Sequence, residues 1–429
     1  MKSKFSVLSL LLLILVVTHT SFAAELADRA VSENVAESAA AIEELRALGP
    51  VGLNDLMTRY AVQIKQHIDD PKLKPDAEWQ RITKALDAVS GQKNSYLSGL
   101  YWYTDLKEAQ KVANESKKPI LSLRLLGRLT DELSCANSRF FRTVLYSNAE
   151  IASVLRERFV LHWQSERPAP VITIDFGDGR KLERTITGNS IHYVLDSTGR
   201  PIEAFPGLYG PQAFLRNLAD AESLFNSLAG KQGQEKDVVL RSYHIVSNNK
   251  ISAAWYTDIA KTGGKLPAGF VVQKGPNGEV TAVDIANLAI TKSAVEGNML
   301  RAMTRASEAL SKLTDEAAWR KIAALYAADA VLDSRSVALM KRQNPLLSDK
   351  EFGVMLQKFQ ESIALDTVRN QYLMRPKLYA WLTGDASRMD LEKLNDKVYA
   401  ELFLTPKSDP WLGLLSKDVY VGTDNGGIQ

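Results

Sequence analysis

The spacing of apolar residues divides the chain into three stretches. From residue 25 to residue 98 the spacing is helical. Ala40, Ile42, Leu45 and Leu48 mark a weakly amphipathic helix that Gly49-Pro50 stops. Leu53 to Ile68 and Trp79 to Val89 predict two more helices, with Leu56, Tyr60 and Ile64 on one face of the first. Asp69-Asp70-Pro71 and Lys74-Pro75 form the loop between them.

Past Tyr101-Trp102-Tyr103 the period alternates between helix and strand. Asp105 to Ser116 predicts a helix with Leu106, Ala109 and Val112 inward, ended by Lys117-Lys118-Pro119. Ile120 to Leu126 follows as a buried strand, and a helix begins at about Ser138. Ser147-x-x-Glu150 reads as a capping box for a helical piece that runs to Arg158, and Phe159 to Trp163 is the next strand. Val171 to Phe176 and Lys181 to Thr187 flank Gly177-Asp178-Gly179-Arg180, a hairpin signal. Ile191 to Leu195 and Pro201 to Phe205 flank Asp196-Ser197-Thr198-Gly199, a second hairpin, and Gln212 to Leu228 predicts the closing helix.

Gly230 to Lys236 reads as a polar linker. Residues 237–290 are of mixed period, with turns at Gly263-Gly264 and Gly275-Pro276-Asn277-Gly278. From Ala294 to about Phe403 the pattern is mostly helical. Pro345 and Pro376 interrupt it, and Ser348-x-x-Glu351 forms another capping box. No repeat period emerges. Thr405 to Gly413 reads as irregular structure that packs Trp411, and Trp102, Trp163 and Trp411 are expected core anchors.

The N-terminus has the grammar of a targeting segment. Lys2 and Lys4 precede the apolar run Val7 to Val17, and Ser21-Phe22-Ala23 supplies small residues at a cleavage site. The apolar core is short for a hydrocarbon layer of ~30 Å. The reading is a cleavable signal peptide over residues 1–23 and a periplasmic or secreted mature chain with no membrane span. The full sequence carries 53 basic and 50 acidic residues, and residues 1–23 hold two lysines and no acid, leaving 51 against 50. That balance argues against nucleic acid as a partner.

The chain has one cysteine, Cys135, so it closes no intramolecular disulfide. The cysteine follows the apolar run at 120–126 and precedes the predicted helix, in the pattern Cys135-Ala136-Asn137-Ser138. Dithiol chemistry is excluded. The remaining options are one-thiol chemistry at Cys135 or a structural cysteine.

Residues 100–228 resemble the thioredoxin superfamily. The resemblance rests on Trp102, Ala109, Ala113, Lys118-Pro119, Cys135, Phe159-Val160, Tyr193-Val194-Leu195-Asp196, Gly199 and Pro206-Gly207. It covers about a third of the chain. It implies an α/β domain whose redox cysteine sits after the first core strand and at the start of a helix. The chain departs from that pattern in a long loop between strand and cysteine and at three further places. Ser138 replaces the second cysteine of a C-x-x-C pair, Ser134 stands where an aromatic residue is common, and Ser190 or Ile191 takes the place of the usual cis-proline. The expected architecture is therefore α/β: a central thioredoxin-like domain at 99–229 with an inserted β-hairpin, a helical N-terminal module at 24–98, and a mixed then mainly helical region at 230–429.

Two functions follow. The leading expectation is a binding or scaffold protein of the cell envelope that has lost the dithiol pair. The alternative is a one-cysteine oxidoreductase acting on disulfides or peroxides. There Cys135 is the nucleophile, Ser138 donates to its thiolate as the C-x-x-S pattern of monothiol glutaredoxins implies, and a protein or thiol-containing partner resolves the product. Arg124, Arg128, Arg139, Arg142, Arg156, Arg158 and Arg167 make the stretch rich in guanidiniums, read as solvated faces and ion pairs or as an anion site. His162 and His192 lie in predicted strands. A Cys135–His192 pair is the one conceivable metal pair, but no local metal spacing exists, so no metal and no cofactor are expected. Asp175-Phe176-Gly177 and Thr262-Gly263-Gly264-Lys265 lack the context that would make them kinase or P-loop motifs.

Overall fold

The structure is a computed structural model that describes residues 23–185, 188–264, 308, 310–384, 390–412, 415 and 422. Most of the predicted signal peptide, the turn at 275–278 and the first part of the helical stretch from Ala294 lie outside the described residues. By contact, the chain forms two units. One comprises residues up to Ala229 together with Glu316–Asn370, the other Gly230–Asp315 together with Gln371 onward.

The first unit begins with a helical module. A helical segment over residues 23–30 precedes α1 (Val35–Ala47), α2 (Pro50–Arg59), α3 (Ala61–Asp69) and α4 (Ala77–Ser90). Each start has a local cause. Asn34 Oδ1 accepts from the amides of Ala36 and Glu37 at 3.1 and 3.3 Å, Pro50 stands at the first turn of α2, and Asp76 Oδ1 accepts from the Trp79 amide at 2.7 Å. The predicted helix Leu53 to Ile68 is broken in two, because Tyr60 adopts a non-helical φ of −108° and ψ of 23°. Gly91, with φ 74°, ends α4. Leu45, Leu56, Ile82, Leu86 and Val89 form a dry core between these helices. His67 stacks on Trp79 at 3.7 Å.

A five-stranded mixed sheet follows. Its strands are β1 (Trp102–Tyr103), β2 (Ile120–Leu126), β3 (Val160–Arg167), β6 (Ser190–Leu195) and β7 (Pro201–Pro206), in the order β1-β3-β2-β6-β7. The β1–β3 and β3–β2 pairs are parallel, and the β2–β6 and β6–β7 pairs are antiparallel. All seven residues of the central strand β2 are buried, which is why it reads as an unbroken apolar run with Ser122 and Arg124 as exceptions. Helix α5 (Leu106–Ser116) joins β1 to β2. Helices α6 (Ala136–Phe140) and α7 (Ala149–Arg158) join β2 to β3, with wide turns at Phe141–Leu145 between them. The separate hairpin β4 (Val171–Asp175) and β5 (Lys181–Thr185) lies between β3 and β6 in the sequence. Asp196 Oδ1 closes the β6–β7 turn by accepting from the amides of Thr198 and Arg200 at 2.9 and 3.1 Å, with Gly199 at φ 86°. Helix α8 (Pro211–Ser227) completes this part.

Module and sheet are joined by buried hydrogen bonds. Arg46 donates to the carbonyls of Val89 and Trp102 at 2.7 and 2.9 Å. The Trp102 indole donates to Gln92 Oε1 and the Trp163 indole to the Gly91 carbonyl, each at 2.8 Å. Helices α10 (Glu316–Leu325), α11 (Ser334–Gln343) and α12 (Asp349–Arg369) return to the same unit. Arg216 pairs with Asp329 at 2.8 Å, the Gly210 amide donates to Thr367 Oγ1 at 2.8 Å, and Asn370 Nδ2 donates to the Leu208 carbonyl at 2.7 Å.

The second unit is helical where it is described. It is built on α9 (Gly233–Lys261) and α13 (Arg375–Thr383), with α14 (Leu391–Lys397) beyond. Trp255 stacks on Tyr372 with ring centroids 5.5 Å apart, and its indole donates to Thr314 Oγ1 at 3.1 Å.

Three expectations change. Helix α9 begins inside the predicted linker and runs through the stretch of mixed period as far as Lys261. The cap of α7 is Asn148, whose Oδ1 accepts from the amides of Glu150 and Ile151, while the Ser147 hydroxyl donates to the Thr143 carbonyl one turn back. Trp102 and Trp163 are core residues, but Trp411 is 45% exposed. The capping box at Ser348 and Glu351 is present in full. No described helix is long and apolar enough to cross a membrane.

Candidate functional site

Strand β2 ends at Leu126, and Gly127 turns the chain with φ 73°. The loop brings the chain back so that the Cys135 amide donates to the Leu126 carbonyl at 3.3 Å. Cys135 then caps α6, its own carbonyl accepting from the Arg139 amide at 3.2 Å. The sequence expectation of a cysteine between a buried strand and a helix start is met. Its sulfur is fully buried. Burial pushes the thiol up from its ordinary value. Backbone groups of Ser138, Leu126 and Asn137 and the charge of Arg139 act in the opposite sense without overcoming it.

The surroundings of Cys135 are tied to one another. The Ser134 hydroxyl donates to the Ser138 hydroxyl at 2.9 Å, with both residues fully buried. Arg139 Nη1 donates to the Ser134 carbonyl at 3.0 Å and to the Thr185 hydroxyl, and Thr185 in turn donates to the Ser134 carbonyl at 3.1 Å. Arg142, 3% exposed, donates through Nη2 to Ser134 Oγ and the Glu132 carbonyl, each at 3.3 Å. Its Nη1 is buried without a partner, and burial lowers its pKa. Asn137 Nδ2 donates to Ser190 Oγ at 2.8 Å, so the start of β6 faces the cysteine-bearing helix with a hydroxyl. There are no cis peptide bonds among the described residues.

The two strand histidines lie on opposite faces of the sheet. His162 is in register with Ser122 and His192 with Leu123, and adjacent residues of a strand point to opposite sides. His162 Nδ1 meets Ser122 Oγ at 2.8 Å, and His192 Nε2 meets the Tyr146 hydroxyl at 2.7 Å. His192 is also boxed in by Phe141 and Phe214, with ring centroids 4.6 and 5.2 Å away. Burial drives both rings down to about 3, with the Arg124 charge adding to the effect at His162. No group of three or more His, Cys, Asp or Glu residues able to hold a metal occurs among the described residues.

On the His162 face, Arg124 Nη1 pairs with Glu166 at 3.1 Å, their side chains 0% and 4% exposed. Of the two settings expected for these arginines, solvated faces and ion pairs, Arg124 takes the ion pair, but buried and with Glu166, which the pattern does not single out. The available signal was the alternation of Ser122 and Arg124 in an otherwise apolar strand, which marks one polar, buried face. Arg139 and Arg142 are likewise structural clasps of the Cys135 loop.

Chemically, this arrangement holds a small thiol with no exposed surface in a hydrogen-bonded corner. The chain matches no known protein family, no curated protein and no solved structure.

Proposed function

We propose that the chain is an exported binding or scaffold protein on a thioredoxin-like α/β domain whose cysteine is a packed core residue and does no chemistry. One observation carries the reading: Cys135, the only thiol, has no exposed surface and a thiol pKa raised by burial. A nucleophilic cysteine needs access and thiolate character, and burial works against both. The thioredoxin-like part of the reading is supported by the mixed sheet and by a cysteine that caps the helix after its central strand. Export to the periplasm or medium is supported by the Lys2, Lys4 and Val7 to Val17 pattern.

The test is labelling of the folded protein with a thiol reagent at neutral and alkaline pH, beside a sample in denaturant. Labelling only after denaturation agrees with the proposal. Rapid labelling of the native protein overturns it in favour of the one-thiol reading, in which Cys135 attacks a disulfide or peroxide. That second reading draws on the placement of Cys135 at a helix N-terminus beside Arg139, where a thiolate is favoured.

A further inference from the structure

A cleft of about 600 Å³ lies within the first unit, between the N-terminal helices and the β1 edge of the sheet. Its volume is in the range of small-molecule sites. Leu53 and Met57 of α2, Ile64 of α3, Val112 of α5, and Phe159 and Leu161 form an apolar wall. Arg156, Arg335 and Lys118 also line it, and no aspartate or glutamate does.

Arg156 and Arg335 come from elements far apart in sequence and meet at one stretch of backbone. Arg156 Nη1 donates to the Ser98 carbonyl, and Arg335 Nη1 donates to the adjacent Leu97 carbonyl at 3.4 Å. Neither side chain forms an ion pair among the described residues. Each bond uses one of the five N–H donors of a guanidinium. The two like charges oppose each other: the Arg335 charge adds to burial in lowering the pKa of Arg156, and only the Glu157 carboxylate, outside the cleft lining, acts the other way. Gly99, at φ 59°, keeps this corner open. A Cβ there would stand 3.0 Å from Met57 Sδ and 3.8 Å from Arg156 Nη1.

Two cations on adjacent carbonyls, with no carboxylate in the cleft lining and an apolar wall beside them, are complementary to one kind of small molecule. We propose that this cleft binds a single-chain anionic amphiphile, its carboxylate held by Arg156 and Arg335 and its alkyl tail laid along Leu53, Met57, Val112 and Leu161. An anion there gains charge-assisted hydrogen bonds from both guanidiniums. The tail leaves water for a surface that is already apolar. The proposal goes beyond the reading of Cys135 and uses none of its chemistry.

The experiment is calorimetric titration of the purified protein with decanoate below its micelle concentration. Acetate supplies the head alone and decyl glucoside a neutral amphiphile with the same tail. Saturable binding of decanoate is expected, at least about tenfold tighter than decyl glucoside, with no detectable binding of acetate. The double variant Arg156→Gln, Arg335→Gln is expected to bind decanoate at least about tenfold more weakly and decyl glucoside unchanged. Val112→Glu, which puts a carboxylate into the cleft from the surface of α5, is expected to weaken decanoate binding as well. Circular dichroism of each variant shows whether it folds, and if the double arginine variant does not, Val112→Glu decides. No saturable decanoate binding, equal affinity for the two amphiphiles, or decanoate binding unchanged in folded variants overturns the proposal. A reactive Cys135 with intact decanoate binding refutes only the earlier reading, and a sealed Cys135 without decanoate binding refutes only this one.

Discussion

The Ser138 hydroxyl, which the C-x-x-S pattern offers to a thiolate, is instead an acceptor for the Ser134 hydroxyl at 2.9 Å. The pair fills the corner beside Cys135, and Arg139 and Arg142 fasten Ser134 from its carbonyl and hydroxyl sides. The C-x-x-S residues therefore serve as parts of a loop clasp.

If Cys135 is a packed side chain, Cys135→Ala is expected to leave a folded protein that loses about 1 kcal/mol of stability, since a small buried group is removed. Urea unfolding followed by circular dichroism measures it. Ser134→Ala is expected to cost more than Cys135→Ala, because it removes the hydroxyl that Arg142 Nη2 and Ser138 share and leaves a buried guanidinium less satisfied. The reverse order of cost would refute the clasp.

Arg124 and Glu166 form a buried ion pair, so removing one partner strands a charge. Glu166→Leu alone is expected to cost about 3–5 kcal/mol, whereas Arg124→Met combined with Glu166→Leu is expected to cost much less than the sum of the single changes. A double-mutant cycle in urea reads the coupling directly. Additive losses would show that the two charges do not act as a pair.

His162 and His192 are neutral when folded, with values near 3 against ~6.5 unfolded. As pH falls below ~6.5 the unfolded chain takes up two protons that the folded chain does not, so stability falls with pH. Asp87 works against this. Burial raises it to about 6, so between about 6 and ~3.9 the folded chain takes up a proton first and gains stability as pH falls. Taken for these three groups alone, the slope in that window is a loss of ~1.4 kcal/mol per pH unit, that of one proton. His192→Gln is expected to flatten the slope and Asp87→Asn to steepen it, measured as unfolding free energy between pH 4 and 7. A slope that neither variant changes would remove these groups from the acid response.

Gly52 packs α2 against α1 at backbone distance. A Cβ there would stand 2.0 Å from the Leu45 carbonyl oxygen. Gly52→Ala is thus expected to cost about 1–3 kcal/mol by overpacking, although alanine is the better helix former. The thermal midpoint of the variant checks it, and an unchanged or raised midpoint would mean that the two helices separate without cost.

The strands were legible because burial writes itself into composition. The run at 120–126 and the segments at 190–195 and 201–206 are apolar stretches bounded by glycine, proline and aspartate, and the structure has strands at each. Helix α9 was hidden for the opposite reason. Its buried stripe runs through Leu240, His244, Asn248, Ile251, Trp255 and Ile259, and the two polar members break the apolar period that a reader counts. Local order also placed Cys135 correctly between strand and helix. Its exposure could not be read, since that depends on Arg139, Arg142 and Thr185 closing over the loop. The cleft was out of reach altogether, because Arg335 arrives at Leu97 from 238 residues away.

The return of α10 to α12 to the first unit governs the order in which the chain can mature. Gly210, Leu208 and Arg216 find their partners Thr367, Asn370 and Asp329 only after the intervening stretch has left the ribosome. A nascent chain that has reached Ala229 holds every strand of the five-stranded sheet but not the partners of Leu208, Gly210 and Arg216. Cutting a gene at that boundary would therefore yield a fragment with its last stitches missing.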